Sequence, residues 1–83
     1  MAFYSVHIMR PDGNTEHSNH SEATPREAAK KALAAYEKWI VKKIADADPG
    51  SEKRIWEQNR VPRFIEVVDK TGYVVEKFGA KDV

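Results

Sequence analysis

Thr24-Pro25-Arg26-Glu27 most constrains what this chain can fold into, because it is a helix start spelled out in side-chain chemistry. A threonine hydroxyl can accept from the backbone N–H three residues on. Proline is pre-set for the first helical position, where its missing N–H costs nothing, and a glutamate at the third position completes a capping box. The run Ala28-Ala29-Lys30-Lys31-Ala32-Leu33-Ala34-Ala35 that follows has high helix propensity. At 100° per residue, Ala29, Ala32, Leu33, Tyr36, Ile40 and Ile44 share one side, with Ala47 beside them, and Lys31, Lys38 and Lys42 lie opposite. Asp48-Pro49-Gly50 ends the helix. A helix from Pro25 to about Ala47 is about 33 Å long. A six-residue strand spans only about 20 Å, so the last helical turns are expected to overhang any sheet, where Trp39 can meet Trp56.

Two turn signals bracket this helix. In Arg10-Pro11-Asp12-Gly13-Asn14, proline sets φ and glycine supplies a left-handed position, so a type I turn with a glycine bulge pairs Arg10 with Asn14. The preceding Phe3–Arg10 alternates as a strand, with Tyr4, Val6 and Ile8 on one face and Phe3, Ser5, His7 and Met9 on the other. The return segment Asn14–His20 has almost no apolar side chain and is an edge strand or a loop. Asp69-Lys70-Thr71-Gly72 is the second turn, between Phe64–Asp69 and Tyr73–Phe78. A glycine bulge at Gly72 alone sets Val67 against Val75, Phe64 against Phe78, and Glu66 against Glu76. Ile65, Val67, Tyr73 and Val75 then face the helix, while Phe64, Val68, Val74 and Phe78 form an outer apolar patch that Phe3 and Met9 can join. Between Ser51 and Asn59 the chain is either a short helix capped by Ser51 and carrying Ile55 and Trp56, or an ordered loop. Pro62 opens the second extended stretch, and the tail from Gly79 to Val83 is expected to fray.

These elements predict one α+β domain over residues 1–83, with a β-hairpin, one long helix and a second β-hairpin. The order is ββαββ, or βαββ if the second strand is irregular, with the helix on a small, mostly antiparallel sheet. A chain of 83 residues buries roughly 60–65% of its unfolded surface, so its stability is modest. With 41% hydrophobic and 33% charged residues, the composition is globular rather than disordered. No apolar run approaches the roughly 18–20 residues needed to span a bilayer. The start Met1-Ala2-Phe3-Tyr4 lacks the pattern of a signal peptide. There is no cysteine, which excludes disulfides, thiolate metal sites and a thiol nucleophile, and fits a cytoplasmic location.

Candidate chemistry is sparse. The hairpin register sets His7 opposite His17, and two imidazoles about 5 Å apart can chelate zinc or nickel. A functional site normally takes three or four ligands and Glu16 points to the other face, so the ordinary reading is solvated polar residues and no metal is assigned. No serine or carboxylate is placed to orient a histidine. Glu66 and Glu76 read as a charged outer face flanked by Arg63 and Lys77 rather than an acid–base pair. The four glycines are scattered, and none forms a phosphate loop. The sequence therefore assigns no catalytic residue, no cofactor and no enzyme activity.

Two surfaces remain. The leading expectation is a small non-enzymatic interaction or regulatory module that binds a protein partner, or itself as a homodimer, through Phe64, Val68, Val74 and Phe78. The alternative is a nucleic-acid-associated module using Lys31, Lys38, Lys42, Arg60 and Arg63. Against the alternative, the net charge is only +1 and Glu27, Glu37, Glu52 and Glu57 are interspersed. Trp39 and Trp56 read as core packing rather than base-stacking platforms.

Overall fold

In a computed structural model, which describes residues 2–83, the Thr24 hydroxyl accepts from the Glu27 amide at 3.2 Å and Pro25 occupies the first helical turn. The helix that follows is α1, Pro25–Asp46. Its inner side is mostly alanine. Ala28, Ala29 and Ala32 are buried with Tyr36 and Ile40, and these short side chains let the helix lie close on the sheet.

Strands β1, Ala2–Met9, and β2, Thr15–Glu22, form the first hairpin. The Arg10 amide donates to the Asn14 carbonyl at 2.8 Å, the Gly13 amide to the Arg10 carbonyl at 3.0 Å, and Gly13 takes φ +90°. This is the expected turn with its glycine bulge, and the return strand forms with His7 opposite His17. Its edge position and polar composition agree with the sequence reading, and it runs on through Glu22. The second hairpin pairs β3, Phe64–Asp69, with β4, Val74–Phe78. Here Asp69 Oδ1 accepts from the Thr71 amide at 2.9 Å and the Tyr73 amide at 3.0 Å, and Gly72 takes φ +92°.

Strand β1 pairs antiparallel with both β2 and β3, giving one four-stranded sheet in the order β2-β1-β3-β4. α1 packs on one face of it. Val6 and Ile8 from β1, Ile65 and Val67 from β3, and Phe78 from β4 meet the helix there. Each such aliphatic side chain, once fully buried, contributes about 1.5–3 kcal/mol.

The register of the second hairpin corrects the sequence expectation. A further irregularity between Val67 and Val68 shifts β4 by one place, so Ile65 opposes Phe78, Glu66 opposes Lys77, and Val67 opposes Glu76. One extra residue reverses which face the following side chains occupy. Phe78 thereby turns inward, 6% exposed, with the Arg26 guanidinium 5.1 Å from its ring centre. The unbulged register would leave this phenylalanine in water and aim Lys77 at the helix. The shift buries the aromatic ring and returns the ammonium to solvent.

Residues 51–58 are helical (α2, Ser51–Gln58), and the residue preceding the helix is Gly50 at φ +106°, so Ser51 is the first helical residue and not its cap. This helix buries none of its own residues and, among the elements, packs only on α1. The molecule measures 43 × 20 × 19 Å, and the overhanging end of α1 is where Trp39 meets Trp56 edge to face at 5.6 Å.

Candidate interaction surface

With both helices on one side, the opposite face of the sheet has no second layer among the described residues. Its cross-strand rows follow from the pairing. Thr15, Met9 and Phe64 make one row, His17, His7, Glu66 and Lys77 the next, and Asn19, Ser5, Val68 and Val74 the third. Phe3 continues this face at the end where β1 begins and β3 ends.

The four residues expected to form an outer apolar patch are separated by this geometry. Phe78 is in the core. Phe64 is half-buried, and the Lys77 ammonium sits 4.0 Å from its ring centre, so its face is already covered by a cation. Val68 is only 8% exposed, walled in by its neighbours, while Val74 opposite it is 48% exposed. The apolar surface that water reaches lies instead at the far end of the face. Phe3 is 52% exposed, and Val75 at 44% lines one shallow concavity with it, rimmed by Tyr4, Asp69 and Thr71. Tyr73, assigned inward by the sequence reading, is exposed beside this end. The adjacent strand β4 is a sheet edge with one paired side.

The candidate nucleic-acid contacts are all exposed, but each of three has a carboxylate at hand. The Lys31 ammonium bonds Glu22 at 2.6 Å, which raises its pKa through the hydrogen bond and the attraction of that carboxylate. Lys42 shares a shallow groove with Asp46 and Glu52, and Arg60 shares another with Glu37. Lys38 stands on the exposed side of α1, and the Arg63 amide donates to the Met9 carbonyl at 2.9 Å. The surface is thus of mixed sign. The absence of a single-signed field weakens the electrostatic focusing that phosphate binding uses.

The sequence reading passed over a polar cluster at the overhanging end. Arg10 continues the inward series Tyr4, Val6, Ile8 and is 9% exposed. Its guanidinium donates to Asp12 and, at 2.9 Å, to Glu16, and lies 5.8 Å and 5.5 Å from the ring centres of Trp39 and Trp56. Burial opposes its charge, but the two carboxylates outweigh that and its pKa is raised. Asn59, 1% exposed, accepts from the Asp12 amide at 3.2 Å and donates to the Ile55 carbonyl at 2.9 Å, while the Tyr36 hydroxyl donates to the Asn59 carbonyl. The cluster ties the first turn, α1 and α2 together. The signal that could have found it is parity, because an arginine continuing an inward apolar series needs buried partners.

His7 and His17 meet with ring centres 4.4 Å apart and planes at 62°. Burial, then the neighbouring imidazole, lowers the His7 pKa, while Glu66 acts in the opposite sense. Among the described residues, no group of three or more histidine, cysteine, aspartate or glutamate side chains is arranged to hold a metal ion. No helix among them is long and apolar enough to cross a membrane. Comparison with protein-family models, curated proteins and solved structures finds no match to this chain.

Proposed function

We propose that the protein is a small non-enzymatic interaction module that associates with a second copy of itself through the outer face of its sheet. The contact is centred on Phe3, Val74 and Val75. One observation carries this reading: among the described residues the sheet is covered by helices on one face only, and Phe3 and Val74 on the other face, with Val75 at the β4 bulge beside Val74, are large exposed apolar side chains at one end. A twofold contact uses the same patch on both partners, so an apolar patch is complementary to itself. The net charge of +1 sets little long-range repulsion against pairing. The open edge of β4 borders the patch and extends the surface two copies can share.

The experiment is light scattering at low and high salt, on the native chain and on a Phe3→Ser/Val75→Lys double variant. Both positions are exposed, so the variant keeps the fold, and circular dichroism checks this. The reading expects a dimer indifferent to salt that the double variant reduces to monomer. A native chain that stays monomeric at millimolar concentration overturns it. So does a dimer that survives the double substitution. Mass gained only with a nucleic-acid duplex at low salt would replace it with the reading based on Lys31, Lys38, Lys42, Arg60 and Arg63.

A further inference from the structure

Independently of self-association, we infer that His7 and His17 form a two-imidazole chelate for a late first-row divalent cation, zinc or nickel, on the outer face of the sheet. The two residues are direct cross-strand partners. Counting back from the Arg10–Asn14 backbone hydrogen bond, ladder alternation makes theirs a non-hydrogen-bonded pair, the class whose side chains stand closest. The rings already lie with centres 4.4 Å apart. Zinc–nitrogen bonds of about 2.0–2.1 Å put two imidazole nitrogens on one ion after a modest rotation of the rings, and His17, exposed on the edge strand, is free to make it.

Glu66, the partner of His7 on β3, sets a carboxylate on the other side of the pair. Its negative charge offsets part of the cost of bringing a divalent cation to the sheet, without making it a third ligand. The remaining positions of the ion are left to water, or to a ligand atom from outside the chain. Imidazole donors suit zinc and nickel, whereas calcium and magnesium require oxygen.

The test titrates zinc chloride and nickel chloride into the protein and follows the histidine ring protons by NMR, with calorimetry for affinity. His20 is the internal control. It lies two strand positions beyond Ser18 on the opposite face and bonds the Ser18 hydroxyl at 2.9 Å. The inference expects one ion per chain, shifts confined to the rings of His7 and His17, and an affinity loss of about tenfold or more in His17→Ala with His20→Ala unchanged. His17 is exposed, so its replacement leaves the fold in place even if His7→Ala does not. The inference is overturned by the absence of any ring shift up to millimolar metal, by undiminished binding in His17→Ala, or by an equal loss in His20→Ala. Magnesium chloride should produce no shift, and equal binding of magnesium would also overturn it.

Discussion

Replacing Asn59 with alanine should loosen α2 on the rest of the molecule. The helix buries no residue of its own, so its attachment depends on Trp56 against Trp39, on the Tyr36 hydroxyl bond to the Asn59 carbonyl, and on the Asn59 side chain. That side chain holds two hydrogen bonds, one across to the Asp12 amide and one to the Ile55 carbonyl within the end of α2 itself. At about 0.5–1.5 kcal/mol net for each bond, their loss costs about 1–3 kcal/mol. Because Asp12 and Ile55 are not enclosed, water can satisfy the groups left behind, which sets the expectation at about 2 kcal/mol rather than the upper limit. For a domain of this size, about 2 kcal/mol lowers Tm by roughly 8–16 °C. Urea and thermal unfolding of Asn59→Ala measure this, with exposed Gln58→Ala as the reference. The edge-to-face indoles at 5.6 Å are an internal probe of whether α2 has let go before the sheet melts. Tyr36→Phe removes the third bond, from the hydroxyl to the Asn59 carbonyl, and a double-mutant cycle asks whether the cluster acts as a unit. A stability change in Asn59→Ala within about 0.5 kcal/mol of Gln58→Ala, the range of ordinary surface substitutions, would refute the reasoning.

Two further outcomes are expected. His7 is held below the ordinary histidine value, so the unfolded chain takes up that proton first as pH falls. Its contribution to stability is therefore complete above about pH 6.5 and is lost as pH drops towards the folded value, and urea midpoints between pH 7.5 and 5 should fall less steeply in His7→Gln. Gly72→Ala meets open space but must adopt φ +92°, so it should destabilise by roughly 1–2 kcal/mol, seen as a lower urea midpoint with an unchanged slope.

The parts of this fold that were legible in the sequence are those written in local chemistry. The Thr24 cap, the prolines and the turn glycines act within four or five residues, and both hairpins and the long helix follow from them. The β4 register was not legible. Ile65 and Val67 face the helix in either alignment, so nothing local separates the two, and the choice falls to Phe78, whose burial depends on a helix distant in sequence. The candidate surface moved for the same reason. One bulge took Phe78 out of it, and the Lys77 ammonium over the Phe64 ring took most of Phe64. The cluster of Arg10, Tyr36 and Asn59 joins three segments by single hydrogen bonds and ion pairs, and leaves no periodic trace to read.

The position of β1 also has a consequence for how the chain is made. It is a central strand, with one neighbour, β2, immediately after it and the other, β3, only after all of residues 10–63. During synthesis the first hairpin and α1 emerge with one side of β1 open, and no later segment can close that side until Phe64–Asp69 has left the ribosome. The cost of closing so long a loop grows only slowly with its length, but the wait does not depend on thermodynamics. At about 5–20 residues per second the nascent protein spends several seconds as a half-sheet with one side of the apolar strand β1 unpaired. That interval, rather than the finished fold, is when this chain is most exposed to mispairing.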